Sequence, residues 1–358
     1  MPPDADARAP RGGIAPAGAG EDDDRLLFPG TRLHVVTGKG GTGKTTTAAA
    51  LAVALSRGGR RVLLCEVEDR QGIARLFGVP PLPYEERSVA ATADGGEVLA
   101  LAIEPRAALL EYLATFYKLG RAGRALDRVG AVDFATTVAP GVRDVLLTGK
   151  VYEAVRRRGR GRGTEREHTY DAVVLDAPPT GRIGRFLNVN SEVSGIARMG
   201  PIAGQADSVM RVLRSPHTRV HLVTLLEEMP VQETLDGARE LAAAGLPVGA
   251  VVVDQIRGDT MPLDLLDGAL SGAVPASAVR DGLVEARLVR GSAPGTALVD
   301  GLLAEAREHD ERLALQDAQH AVLEAAGRPL VELPQLPGGV DHRGLEVLAD
   351  RLTEQGLA

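Results

Sequence analysis

Arg32-Leu33-His34-Val35-Val36-Thr37-Gly38-Lys39-Gly40-Gly41-Thr42-Gly43-Lys44-Thr45-Thr46 runs from an apolar strand pattern through a glycine-rich loop into a helical one. Arg32–Thr37 spells a short buried strand, and Lys44–Arg57 is Ala- and Leu-rich with helical spacing, stopping at Gly58-Gly59. Arg61–Val67 reads as a second strand, which completes a βαβ unit. The loop at its first turn matches G-x-x-x-x-G-K-[ST], and the strand before it and helix after it are the context that confirms a phosphate-binding loop. Its glycines let successive backbone N–H groups face one phosphate chain, and the helix N-terminus adds partial positive charge. Lys44 is expected to reach the β- and γ-phosphates, and the Thr45 hydroxyl to ligate Mg²⁺. Gly38, Lys39, Gly40, Gly41, Thr42, Gly43 and Thr46 complete the candidate nucleotide-binding set.

Lysine usage singles out the same loop. Of 41 basic residues only Lys39, Lys44, Lys118 and Lys150 are lysines, yet two of them lie within this one loop. A chain that uses Arg wherever a generic positive charge suffices has kept a compact ammonium on a flexible stem at these two places, a group that a planar guanidinium does not replace.

The remaining composition sets bounds. The 358 residues are enough for one large α/β domain or for a core carrying an insertion. Hydrophobic residues make up 44% and aromatics only 3%, so core volume comes from Ala, Val and Leu. A formal charge of −7 opposes general nucleic-acid affinity. Cys65 is the one cysteine, which excludes an internal disulfide framework or a Cys-rich metal site in one chain. With no uncharged apolar run near membrane length and no signal-peptide core, the expected compartment is the cytoplasm.

Residues 1–28, rich in Ala, Pro, Gly and Asp and ending near Glu21-Asp22-Asp23-Asp24, read as a disordered tail before one domain over 29–356. Further strands are expected at Val98–Ile103, Ala172–Leu175, Val220–Leu225, Val248–Val253 and Pro329–Leu333, with helices between them. This alternation implies an α/β fold, a doubly wound and mostly parallel sheet. Two stretches break it, about 104–155 and 184–216, and read as helical insertions on the sheet's carboxyl edge, where ligands bind. The Arg156–Arg166 run holds six arginines, suited to an acidic partner, lipid headgroups or RNA, or simply to a solvated loop. It carries no interleaved aromatics for base stacking.

Asp176-Ala177-Pro178-Pro179-Thr180-Gly181 follows the apolar strand at Ala172–Leu175. A carboxylate at that strand end, beside the glycine loop, would hold Mg²⁺ through water, and the stiff turn after it suits a nucleotide-sensing switch.

The loop K-G-G-x-G-K-T-T resembles the deviant Walker A of the MinD/ParA/ArsA group, and D-A-P-P-T-G-R resembles the D-T-A-P-T-G-H switch of the ArsA/Get-type, or anion-transporting, ATPases. Leu99–Pro105, Ala139-Pro140-Gly141 with Asp144, Val223–Thr234 and Leu333–Pro337 resemble further segments of that family, so the likeness covers about residues 31–350. It implies ATP and Mg²⁺ as ligands and a homodimer, or a heterodimer with a related ATPase. In it Lys39 would cross to the partner's nucleotide; otherwise Lys39 is a solvated loop charge. It also implies open/closed switching of a client-binding helical surface.

The sequence departs from the family at three places. Where the family carries Thr-Asp-Pro-Ala, the aligned stretch here is Glu66-Val67-Glu68-Asp69-Arg70, which loses the proline and puts Glu68 at the water-activating position, with Asp69 or a merely solvated acidic turn as the alternatives. Where an Asn reads adenine, this chain has Asp254, with Pro334 and Gln335 in the late loop that packs on the base; an ionised Asp accepts but cannot donate. ATP remains the expected nucleotide, since no N-K-x-D is present. The family's zinc-clamping and metalloid-binding cysteines are missing, and five scattered methionines offer little of a Met-rich groove. Lys39, Lys44, Glu68 and Asp176 are thus the candidate catalytic residues. The rival readings are a ParA/MinD-like positioning ATPase, disfavoured because Gly344–Ala358 is not a basic membrane helix, and a weakly catalytic subunit of a heterodimer.

Overall fold

The computed structural model describes residues 26–68, 71–117, 140–159, 168–187, 201–257, 268–288 and 296–358. Within them one sheet is formed by β1 (Leu33–Gly38), β2 (Arg61–Glu66), β3 (Arg87–Ala91), β4 (Glu97–Ala102), β5 (Ala172–Asp176), β6 (Thr218–Thr224), β7 (Val248–Ile256) and β8 (Leu330–Pro334). Their spatial order is β3-β4-β2-β5-β1-β6-β7-β8, parallel throughout except for β3, which runs antiparallel to β4. The early helices are α1 (Lys44–Ser56), α2 (Gly72–Leu76), α3 (Pro105–Tyr117), α4 (Pro140–Arg156) and α5 (Thr180–Leu187). The later ones are α6 (Pro201–Leu213), α7 (Glu228–Ala243), α8 (Ala276–Glu285), α9 (Thr296–Ala325) and α10 (His342–Glu354).

Period-2 alternation divides the strands between two cores. Leu33, Val35, Leu63, Cys65, Val173, Leu175 and Val253 face a layer containing α4, α5, α6 and α7. Val36, Val62, Leu64, Val174, Val223, Val252 and Leu333 face α1, α2 and α10. α1 is buried nearly all round because α10 covers the side that the sheet does not; its alanines let the backbones approach closely. The C-terminal stretch, already too poor in basic residues for a membrane helix, is a core element: Leu345, Leu348, Ala349 and Leu352 are buried in α10. Among the described residues no helix is long and apolar enough to cross a membrane.

A pair of histidines lies inside this frame. His34 on β1 and His221 on β6 stack with their ring centroids 5.3 Å apart, and His34 Nδ1 is 3.1 Å from His221 Nε2. His221 Nδ1 accepts from the Ala250 N–H, so its Nε2 carries the proton and donates to His34. Both rings stay neutral, because burial pushes His34 down to about 4 and His221 well below the usual imidazole range.

Several elements differ from the sequence reading. β3 was not expected; its Arg-Ser-Val-Ala-Ala lacks alternation and is half-exposed at the sheet edge, with a bulge between Ser88 and Ala90. β7 runs past Val253 to Ile256. The folded body includes the end of the stretch expected as tail: the Leu27 N–H donates to the Gly356 carbonyl and Phe28 packs on His221, while residues 1–25 lie outside the described ones. Residues 118–139 and 188–200 of the expected helical regions, and 160–166 of the arginine run, also lie outside them. Where that run begins, Arg157 is anchored rather than solvated, on Glu86, Glu153 and Tyr170. Lys150 accounts for its place among four lysines: its ammonium meets Glu111 at 2.8 Å and Glu153 at 2.9 Å and lies over the Tyr84 ring, joining α3 to α4.

Chain order reverses at β1, whose neighbours are β5 on one side and β6 on the other. The crevice at such a point, past the carboxyl ends of the strands, is where ligands bind in open α/β sheets. Because α10 closes the second core, Leu348→Ala is expected to lower unfolding free energy by about 2–5 kcal/mol, read as a reduced denaturation midpoint with an unchanged slope.

Candidate nucleotide-phosphate site

The glycine loop rises from β1 into α1. Gly43 caps α1 at φ 83°, with no side-chain cap and no acidic residue in the first turn. Its first-turn N–H groups are therefore available to an anion. Gly43 needs its missing side chain twice over: its backbone is left-handed, and a Cβ would collide with the Asp254 carboxylate. Gly38 is pressed just as hard on the Val223 carbonyl of β6. The Lys44 ammonium, largely buried, donates to the Lys39 carbonyl at 3.0 Å, and the Thr42 hydroxyl donates to the same oxygen at 2.9 Å. A phosphate oxygen would be a stronger acceptor for that amine than a neutral carbonyl.

Asp176 ends β5 in register with Val36, two residues before Gly38. The Thr45 hydroxyl donates to Asp176 Oδ2 at 2.6 Å. Burial pushes the Asp176 carboxyl up to about 7, and nearby Glu66 and Glu68 add to the rise, while the Thr45 hydrogen bond and Lys44 oppose it. A buried carboxylate held this high gains most from a bound cation. The turn after it is tied to β1: the Thr37 hydroxyl donates to the Pro178 carbonyl at 2.7 Å and the Ala177 N–H to the Val36 carbonyl at 2.9 Å.

Lys39 and Glu68 flank this centre. The Lys39 ammonium pairs with Glu233 of α7 at 2.9 Å. Glu68 leaves the end of β2 and pairs with Arg182 of α5 at 3.4 Å; Asp69 lies outside the described residues. The Glu68–Arg182 pair is partly solvated, so it links the two segments without contributing more than about 1 kcal/mol.

A cleft of about 700 Å³ opens beside the loop, lined by Gly41, Thr46, Asp254, Gln255, Pro334 and Gln335 among others. The fold thus brings together the residues assigned to nucleotide binding from three distant segments. The ladder between β7 and β8 slips between Val253 and Ile256, and Gln255 is left-handed at φ 58°. This kink brings Asp254 and Gln255 to the cleft wall. Burial pushes Asp254 up to about 6, against the lowering effect of its hydrogen bonds with Gln255.

Sequence reasoning passed over Glu66, Arg182, Glu233 and Gln255. Only Glu66 had a local signal, as the last residue of a buried strand beside a phosphate loop; the others acquire meaning from contacts with distant segments.

The sequence profile of the anion-transporting ATPases matches residues 31–216. The ATPase BagA of Mycobacterium tuberculosis (strain ATCC 25618 / H37Rv) is 51% identical over 333 residues, covering 92% of this chain and 94% of that protein. The arsenical pump-driving ATPase of Escherichia coli is 27% identical over 242 residues, 62% of this chain and 38% of its own length. The ATPase GET3 of Kluyveromyces lactis is 25% identical over 270 residues, 66% of this chain and 75% of its own.

Asp254 supplies a test of the site's electrostatics. Its carboxyl pKa is higher folded than unfolded, so between about pH 4 and pH 6 the folded chain holds the extra proton and stability falls as pH rises. Asp254→Asn should therefore raise the nucleotide-free melting point at pH 8, by about 1–3 kcal/mol in stability. The gain should vanish near pH 4, as read from thermal melts across that range.

Proposed function

The chain belongs to the anion-transporting ATPase family, and on that premise we propose that it hydrolyses ATP at Gly38–Thr46 to drive open/closed switching of a dimer. The observation that carries this reading is the Thr45–Asp176 hydrogen bond at 2.6 Å, directly behind a glycine cradle that also holds a buried lysine amine. It joins the two groups expected to share a magnesium ion.

The residues present fit magnesium. A hydroxyl and a carboxylate, both oxygen donors, meet at a strand end, and the carboxylate is held high by burial. Bound there, magnesium would supply positive charge across the β- and γ-phosphates. The chain's own residues do the rest. The loop N–H groups and the α1 terminus bind and orient the triphosphate. Lys44 exchanges the Lys39 carbonyl for phosphate oxygens. Glu68 orients a water in line with the γ-phosphorus and takes a proton as the new P–O bond forms and the bond to the β–γ bridging oxygen breaks. Asp254, Gln255, Pro334 and Gln335 enclose the base.

Lys39 is held by Glu233 in the single chain and would leave that partner to reach the nucleotide of a second copy, neutralising transition-state charge there. Switching would pass through α5. This helix begins four residues after Asp176 and buries Ile183, Phe186 and Leu187 in the core shared with α4 and α6. A shift at residues 176–182 on phosphate release would therefore move the helical layer expected to hold a client. Supporting a cytoplasmic setting are the single buried cysteine, Cys65, and the absence of a membrane-length apolar helix among the described residues.

Two substitutions test this. Lys44→Ala should reduce phosphate release by about a hundredfold or more and weaken binding of a fluorescent ATP analogue. Lys39→Ala should leave analogue binding near wild type while suppressing turnover and ATP-dependent dimerisation, followed by light scattering. Normal turnover in Lys39→Ala would remove the cross-subunit role.

A further inference from the structure

Glu66 has no part in the reaction just described, yet it is a buried carboxylate fixed at a strand end beside the site. It is the last residue of β2, paired in register with Asp176 of β5 on one side and Ala102 of β4 on the other, and it is 3% exposed. Its main chain is fixed, since its carbonyl accepts the Ile103 N–H at 2.8 Å. Its side chain turns to the segment that follows: Oε1 accepts the Gly72 N–H at 2.9 Å. Gly72, the first residue of α2, sits against the Thr45 side chain, where an added Cβ would lie 3.0 Å from the Thr45 Cγ2.

One carboxylate therefore closes a ring. Glu66 holds the point where the chain leaves the sheet and also Gly72, where it re-enters regular structure. Glu68 lies between these two anchors in sequence, and Thr45 is backed by the second of them. We infer that Glu66 is a positioning residue, whose carboxylate, through the Gly72 N–H, fixes both the Glu68 carboxylate and the Thr45 hydroxyl for attack on the γ-phosphate. This inference rests on the ATPase reading above, and it assigns Glu66 a hydrogen-bond acceptor's role, dependent on reach, with charge secondary. A displacement of about an ångström at a reacting group is enough to cost up to a hundredfold in rate.

The acceptor role makes an unusual ordering of conservative variants. Glu66→Gln keeps an oxygen of the same reach that accepts the Gly72 N–H, whereas Glu66→Asp keeps the charge but is one methylene short. Glu66→Gln should hold kcat within about threefold of wild type, while Glu66→Asp and Glu66→Ala lose about tenfold or more. ATP-analogue affinity should be little changed in all three, which places the loss in kcat. Amide exchange at Gly72, read by mass spectrometry or NMR, should quicken in Glu66→Asp and Glu66→Ala and stay protected in Glu66→Gln. Wild-type kcat in Glu66→Ala would overturn the inference. So would Glu66→Gln as slow as Glu66→Ala with Glu66→Asp active, since the charge itself would then be what matters. If Glu66→Ala does not fold, the Gln/Asp pair decides alone. If the wild-type chain turns over no ATP, the ATPase reading fails, and the exchange ordering still tests the Glu66–Gly72 link.

Discussion

The hydrogen bond from Thr45 to Asp176 joins the first turn of α1 to the end of β5, and it exists because β1 and β5 pair with Val36 beside Asp176. A slip of one residue would send every side chain of β5 to the opposite face. Leu175 would leave one core, Val174 the other, and Asp176 would no longer meet the loop. The two-core packing of the sheet therefore holds the register, and the register holds the chemistry. That is why a site assembled from β1, β2, β5 and β7 requires a well-packed domain, although almost none of its residues belongs to the hydrophobic core.

Burial sets the electrostatic character of the centre. Asp176 and Asp254 are both driven upward by desolvation, and the Lys44 ammonium donates to the Lys39 carbonyl while its charge partly offsets the rise at Asp176. A buried carboxylate whose pKa is raised by desolvation is stabilised in its charged form by any further cation or hydrogen-bond donor brought to it. Burial of such groups costs folding stability, and a ligand that binds only the folded form returns stability by mass action.

α7 and α5 extend the centre outward. Gly237 of α7 packs on Thr180, where α5 begins, and Gly184 of α5 packs on Glu240 of α7, so the two helices approach through glycines. The same α7 carries Glu233, which pairs with Lys39. A single helix thus touches the loop lysine and the helix that follows the Asp176 turn. Contacts this close leave little room for either helix to shift alone, since tightly packed interfaces do not deform smoothly.

The order of strand, loop, helix and strand at residues 32–67 was legible without coordinates because each signal in it is local. Alternating apolar residues specify strands, and glycines at set spacings specify a phosphate loop. Asp176 was legible as well, since a carboxylate ending a buried strand is expensive unless it has a task. β3 escaped notice because an edge strand of small, half-exposed residues draws its conformation from pairing with β4 and not from its own pattern. The same holds for the ion pairs Lys39–Glu233 and Glu68–Arg182 and for the placing of Asp254 against Gly43. The partners in these contacts are separated by more than a hundred residues of chain, and a charge carries no record in the sequence of which distant charge it meets. Sequence alone determined that a glycine-rich loop joins a buried strand to a helix and where most of the strands lie; the sheet order, with β5 and β6 beside β1 and β2 and β7 next to them, decided which carboxylates approach that loop and which cations they hold.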